Sequence, residues 1–320
     1  MTTPALRTGM LERSLALFPG WQLTGQQQRV GLQRRDWLGA IASVESATLG
    51  EVELDVLSWL SAQWWEQGSP RDGITRFTWY ALAQALWGGA PGWEPGGRER
   101  RMVQDAVDSL IAAVVTLSGH DVHSGDATPA LFSKVHILRS MVGQRRGRGA
   151  HVEADAAHDG ALREDTVEVR LEDWLVAQLL GDEVALLDWQ LQRELTGLAK
   201  RLWCFLAGRG PDFAAGALPG EEVLTIALDA DVYAAWSLHS ARERNNRGRV
   251  ITAADRILQT DPRYMLLVVE VRPGDRRRYQ LRAVRRRGDM TSTPASVPAA
   301  RLALTGGQLE LAGTPQVRAS

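Results

Sequence analysis

The sequence predicts an α+β fold, mostly helical, built as two tandem units that share one order of elements. Two observations predict it. Apolar residues recur at helical spacing in three blocks between residues 50 and 117, with a short extended piece between the first two. After an acidic stretch a second series of strand and helix signals begins, and it closes on two alternating runs around a turn. The chain has 320 residues, 44% of them apolar and 23% charged, which suits two ordinary domains with real cores.

The first 45 residues mix Gly, Gln and Thr with isolated apolar residues, and read as a flexible arm. From residue 50, Leu54, Leu57, Leu60 and Trp64 mark a helix that Gly68-Ser69-Pro70 ends. Ile74 to Phe77 is extended, and Thr78 is placed to cap the helix from Trp79 to Trp87, with Phe77 and Leu82 as a hydrophobic staple. The segment from Gly88 to Gly97, with Pro91 and Pro95, is a loop. Met102, Ala106, Leu110 and Ala113 form the stripe of a third helix, and extended segments follow around Val114 to Val122 and Leu131 to Val142. Helix, strand, helix, helix, strand, strand is the order of a winged helix, a fold that carries DNA-binding helix-turn-helix geometry.

The order then begins again. Thr166 to Leu171 alternates as a strand and Glu172 to Leu180 reads as a helix. Asp188 opens a long helical region with Leu191, Leu195, Leu198, Leu202 and Phe205 as its stripe and Gly208 as its end. Shorter helices are expected near Glu221 to Leu228 and Asp231 to Leu238, and Thr252 with Asp255 signals a capping box for a helix through Gln259. Arg263 to Val271 and Arg276 to Arg287 read as strands around Pro273-Gly274-Asp275. The expected organisation is a flexible arm over 1–45, a winged helix over 46–150, an acidic linker over 151–165, a second winged helix over 166–290 and a flexible tail over 291–320.

Net charge is −1, yet the charge is strongly sorted. Residues 151–195 hold 3 arginines and 12 acids, whereas residues 241–290 hold 14 arginines and 6 acids. Cations are almost all arginine, with Lys134 and Lys200 the two lysines, and a guanidinium can grip phosphate or a guanine edge with two hydrogen bonds.

Two passages resemble a known family. Val167 to Leu171 with Trp174-Leu175, followed by Leu187-Asp188, Leu191, Leu195, Leu198 to Leu202 and Phe205-Leu206, is similar to the start of the C-terminal winged helix of bacterial plasmid replication initiators. Leu54 to Glu66, Phe77 to Gly88 and Arg98 to Leu117 resemble their N-terminal winged helix. The resemblance spans roughly residues 50–290 and breaks between Asp229 and Arg249, where either Asp231 to Arg244 or Thr252 to Gln259 could be the second recognition helix. It implies a protein of the bacterial cytoplasm, with no chemistry and no cofactor of its own, that binds repeated duplex sites at a plasmid origin and recruits host replication proteins. A homodimer is an open alternative to the monomer.

The candidate DNA contacts follow from that geometry. In a winged helix the third helix enters the major groove while the hairpin and helix N-termini meet phosphates. Arg98, Arg100, Arg101 and Gln104 lie in the first turns of the first such helix, where backbone N–H groups after Gly96-Gly97 add an anion site. Arg145, Arg146 and Arg148 lie at the first wing tip, Arg242, Arg244, Arg247 and Arg249 in the basic half of the second unit, and Arg276, Arg277 and Arg278 beside its turn.

Other functions fit less well. No stretch reaches the ~20 apolar residues of a membrane span, and the N-terminus lacks a charged-then-apolar export pattern. Neither lysine stands in a Gly-Lys-Ser/Thr phosphate loop. His120-Asp-Val-His123 is one residue too long for the metal-binding His-x-His of tyrosine nickases, so no metal is expected. Cys204, between Trp203 and Phe205, reads as a buried thiol rather than a nucleophile. None of the 12 tryptophans lies beyond Trp236, so the basic end lacks the stacked aromatics of a single-strand binder and favours duplex. Two rivals remain: a transcriptional regulator of the same fold, distinguished by a single palindrome in place of direct repeats, and a protein-interaction module that docks a basic partner on residues 151–195 and binds no DNA.

Overall fold

The computed structural model describes residues 8–12, 15–16, 41–45, 49–89, 92–118, 132–144, 166–181, 184–236, 238, 240–272 and 277–286. In chain order the elements are β1 (Thr8–Glu12), β2 (Ile41–Glu45), α1 (Glu51–Glu66), β3 (Ile74–Thr78), α2 (Trp79–Trp87), α3 (Gly97–Ala112), β4 (Val114–Ser118), β5 (Phe132–His136), β6 (Leu138–Gln144) and β7 (Thr166–Leu171). There follow α4 (Asp173–Leu180), β8 (Val184–Asp188), α5 (Trp189–Glu194), α6 (Gly197–Gly208), β9 (Ala214–Ala215), β10 (Glu221–Ala227), α7 (Ala230–Ala235), α8 (Glu243–Thr260), β11 (Tyr264–Val271) and β12 (Arg278–Arg286).

Two units repeat one topology. In the first, α1, β3, α2 and α3 are followed, after the inserted strands β4 and β5 that form a sheet with β2 from before α1, by β6 and β7, and the main sheet runs β3–β7–β6. In the second, α6, β10, α7 and α8 are followed by β11 and β12, and the sheet runs β11–β12–β10–β9. Both are helix, strand, helix, helix, strand, strand, and in both the last strand lies between the other two.

The local chemistry of the first unit accounts for its path. α1 buries Leu54, Leu57, Trp59, Leu60 and Trp64. It ends where Gly68, at φ 89°, turns into the left-handed region that a side chain disfavours. Gln67 then holds the start of β3 from outside, donating from Nε2 to the Arg76 carbonyl at 2.6 Å and accepting from Arg76 N at 3.0 Å. β3 turns Thr75 and Phe77 inward, and Phe77 sits edge-on between Trp59 and Trp79 at 5.5 and 5.4 Å. Thr78 caps α2 as expected, its Oγ1 accepting from Ala81 N at 3.1 Å.

The structure corrects several sequence readings. Thr8–Glu12, read as flexible arm, is a strand antiparallel to β8, with Met10 and Leu11 buried, and Ile41–Glu45 pairs with β4. Thr166–Leu171, read as the start of the second domain, closes the first sheet between β3 and β6, with Phe77 opposite Val167 and Arg76 opposite Glu168. The strand pairing therefore places β7 in the first sheet, while the linker expected over 151–165 lies outside the described residues. The long helix expected from Asp188 is two helices: Asp188 caps α5, accepting from Leu191 N at 3.1 Å, and the chain breaks at Leu195–Thr196 before Gly197 at φ 59°. Glu221 to Leu228, read as a helix, is strand β10, whose Glu222 is drawn to Arg285 on β12 at 2.6 Å. Thr252 is no cap; it lies inside α8 and returns its hydroxyl to the Gly248 carbonyl at 3.1 Å.

Between the units, β1, α4, β8 and α5 form a bridge tied by buried polar contacts. Lys200 of α6, 4% exposed, reaches Asp55 of α1 at 2.6 Å. Gln192 of α5 donates to the other Asp55 oxygen at 2.9 Å and accepts from Ser58 at 3.1 Å. Trp189 Nε1 donates to the Ala85 carbonyl at 3.3 Å, and Arg193 donates to the carbonyls of Leu86, at 3.1 Å, and Gly88. Among the described residues no helix is long and apolar enough to cross a membrane.

Candidate nucleic-acid interface

The second unit presents its third helix, α8, as an 18-residue rod whose sides differ sharply. Asn246, Val250, Ala253, Ala254 and Ile257 make the buried stripe. Asn246 is buried because it builds the helix start: its amide accepts from Ser240 N and donates to Ser240 O, both at 3.1 Å. The Ser240 hydroxyl in turn accepts from Arg242 N and from Asn245 Nδ2, both at 3.3 Å. The other end is anchored by Asp261, which is fully buried. Its carboxylate accepts from Trp203 Nε1 at 2.9 Å and takes the Arg263 guanidinium in a fork at 2.7 Å on each oxygen. α8 is thus pinned at both ends.

The opposite side is open and polar. Arg244, Asn245, Gly248, Arg249, Thr252, Asp255, Arg256 and Gln259 are all exposed. Helical geometry gathers Arg244, Gly248, Thr252, Asp255 and Gln259 on one outward face, with Asn245, Arg249 and Arg256 along its flank. Arg247 turns aside instead and lies flat on the Tyr279 ring, 3.7 Å from its centroid, tying α8 to the hairpin β11–β12. Tyr279 donates to Glu270 at 3.3 Å, and the same carboxylate takes Arg272 at 2.8 Å and Arg277 at 3.7 Å. The Arg272 hydrogen bond holds the Glu270 carboxyl below its ordinary pKa.

Placement of the expected DNA-binding residues is uneven. Arg242, Arg244 and Arg249 are brought together at the exposed start of α8, and Arg277 and Arg278 are exposed at the start of β12. Arg145, Arg146, Arg148 and Arg276 lie outside the described residues. On α3, Arg98 and Arg101 point outward but share that face with Asp105 and Asp108. Arg100 folds back onto the Gly96 carbonyl at 3.3 Å and Gln104 is half-buried. Glu99 accepts the Gly96 N–H at 2.9 Å, which places a carboxylate at the start of α3.

Asn245, Arg256 and Gln259 escape a reading of the sequence, because a polar residue, Asn246, heads the buried stripe and breaks its apolar signature. Arg285, at the basic end, serves the fold: it pairs with Glu222, donates to the Gly210 carbonyl at 2.9 Å and lies 4.3 Å over the Phe213 ring. Cys204 is 1% exposed, and burial pushes its thiol up to about 12. Among the described residues no three His, Cys, Asp or Glu side chains gather as metal ligands would.

No family model matches the chain, and no curated protein matches it. Solved structures do. A crystal structure of selenomethionine derivatives of domains 2 and 3 of RctB is 12% identical with a TM-score of 0.51, and the match covers 85% of this chain and 98% of that one. A second crystal structure of RctB domains 2–3 is 14% identical with a TM-score of 0.41, covering 76% of this chain and 86% of that one. The chain shares its two-unit α+β fold with domains 2 and 3 of RctB.

Proposed function

We propose that this chain is a double winged-helix protein that binds specific duplex DNA and acts as a plasmid replication initiator, recognising origin repeats and recruiting host replication proteins in the cytoplasm. The reading assigns it no catalysis and no cofactor. The observation that carries it is α8: a helix in the third position of its unit, fixed at both ends, with an outward face of arginine, threonine and glutamine around one aspartate, Asp255, beside an arginine-bearing hairpin. At 1.5 Å per residue such a helix is ~27 Å long and fits a major groove ~12 Å wide. Its side chains suit base edges, since arginine pairs with guanine and asparagine or glutamine with adenine. The shared order of elements and strands in both units supports two such modules, and the resemblance of residues 50–290 to plasmid initiators supports the biological role.

The test is binding of the full chain to duplex repeats from beside its gene, by fluorescence anisotropy over a salt series. Log affinity should fall steeply with log salt, and Arg244→Ala with Arg249→Ala should flatten that slope by ~0.9 for each phosphate left without its arginine. Gln259→Ala should cost about 1–3 kcal/mol on the cognate repeat and almost nothing on scrambled duplex. A flat salt response, or an unchanged affinity in the double arginine variant, refutes the assignment of α8.

A further inference from the structure

The third helices of the two units can be matched residue by residue. α3 buries Val103, Ala106, Val107 and Leu110, and α8 buries Val250, Ala253, Ala254 and Ile257, two stripes with the same spacing. Laid on these stripes, the helices begin and end within one residue of each other. Their outward faces then differ almost everywhere: Arg98 falls on Asn245, Arg101 on Gly248 and Asp105 on Thr252. Among the exposed residues one identity recurs. Asp108 and Asp255 hold the same place, after the buried Val107 and Ala254.

Neither carboxylate serves its own helix. The surface neighbours of a helical side chain lie three and four residues away. For Asp255 these are Ile251, Thr252, Leu258 and Gln259, and none is a cation. For Asp108 they are Gln104, Asp105, Ile111 and Ala112, so Asp105 adds a like charge. Both acids also lie in the C-terminal half of their helices, away from the first turn where a negative charge is stabilising. On a face that meets DNA, a carboxylate is repelled by the phosphates and lowers affinity for every sequence alike. It contributes only where a donor meets it.

The chemistry of the groove selects that donor. An ionised carboxylate accepts hydrogen bonds and donates none. In the major groove guanine presents two acceptors, and thymine an acceptor and a methyl group. Adenine sets its amino group beside the acceptor N7, whereas cytosine presents its N4 amino group with no acceptor on its own edge. An aspartate is matched to cytosine and opposed by the other three bases.

We propose that Asp108 and Asp255 are specificity-determining residues of the two units, each accepting from the N4 amino group of one cytosine. The proposal rests on the duplex-binding reading above and deepens it, because it gives α3 a part in choosing the sequence although its arginines are offset by acids. Selectivity comes as much from rejection as from attraction, since any other base leaves the carboxylate desolvated against an acceptor or a methyl group.

The experiment is selection of sites from a randomised duplex library by the full chain, by Asp108→Asn and by Asp255→Asn, both substitutions being on exposed helix surface. The native chain should select a site with one fixed cytosine for each unit, and replacing either C·G pair should lower affinity about 5- to 150-fold. Asparagine carries a donor beside its acceptor and suits adenine. Each variant should therefore exchange its own cytosine for adenine and keep the rest of the site. A carboxylate that touches no base gives a different result: its removal raises affinity for all sequences alike and leaves the selected site unchanged. That outcome overturns the proposal while the duplex-binding reading stands. A native chain that enriches no sequence overturns both.

Discussion

Replacing Lys200 with methionine keeps the length of the side chain and removes its ammonium. In the native structure that ammonium lies 2.6 Å from Asp55 with the two side chains 5% and 15% exposed. Gln192 remains on the other Asp55 oxygen at 2.9 Å, but a neutral donor does not neutralise a carboxylate in this setting. Stranding one member of a buried ion pair costs about 3–5 kcal/mol, and at about 2–4 °C per kcal/mol the melting point should fall by roughly 10 °C. Because the pair joins α1 to α6, its removal weakens the attachment between the two units as well as the core. Adding Asp55→Leu to Lys200→Met removes the second charge and should recover much of the stability. The pH dependence has a definite sign. Burial raises the Asp55 carboxyl above its ordinary value and Lys200 pulls it back down. A folded-state pKa above the unfolded one means that the folded chain holds the extra proton, so this group's contribution is full below the unfolded pKa and is lost as pH rises through the folded one. Without Lys200 the window extends upward, and the deficit of Lys200→Met should shrink as pH falls from roughly 7.5 to roughly 5. Thermal melts followed by tryptophan fluorescence at several pH values measure this. A destabilisation below about 1 kcal/mol, the range of surface pairs, or a deficit that grows on acidification, would refute a desolvated pair.

Two further perturbations probe the same framework. Gly9→Ala would put a Cβ 2.5 Å from Ser58 Oγ and 2.8 Å from Gln192 Oε1, so it should cost about 1–3 kcal/mol in urea denaturation and combine non-additively with Lys200→Met, which acts on the same cluster. Asp261→Ala leaves the Arg263 fork and the Trp203 N–H without their acceptor. It should cost about 3–5 kcal/mol and speed hydrogen exchange in the last turn of α8 well beyond that of α3.

Much of the first unit is legible in the sequence because its signals are local. The stripe of α1, the Thr78 cap and the stripe of α3 each depend on residues within one or two helical turns, and β11 with β12 declares itself by alternation. The errors share a different origin. β7 belongs to the first sheet because Val167 and Val169 pair with Phe77 and Thr75, some 90 residues earlier, and no local pattern carries that pairing. The two glutamates opening β10 look like a helix start, until Arg286 and Arg285, opposite them on the neighbouring strand, decide the conformation. β1 is hidden by its shortness and by Gly9, whose missing side chain is what lets the strand approach Ser58 and Gln192. The Asp55–Lys200 pair spans 145 residues. Such partners are visible only once the chain is folded.

The arginine excess over residues 241–290 overstates what a nucleic acid would meet. Arg263 is committed to Asp261, Arg285 to Glu222 and the Gly210 carbonyl, Arg247 to the Tyr279 ring, and Arg272 to Glu270. These four stiffen the unit rather than present charge: two hold the ends of α8 and β12 to the core, and two bind the hairpin to itself and to the helix. The outward charge is then carried by Arg242 at the cap of α8, by Arg244, Arg249 and Arg256 on it and by Arg277, Arg278, Arg282 and Arg286 beside it, all exposed, against the exposed acids Glu243 and Asp255 of the same helix. At a Debye length of about 8 Å these act on whatever lies directly against them. The same reasoning weakens α3, where Asp105 and Asp108 offset Arg98 and Arg101 on one face. If both units meet DNA, the second therefore supplies most of the salt-dependent affinity, and the first contributes more through shape and spacing than through charge.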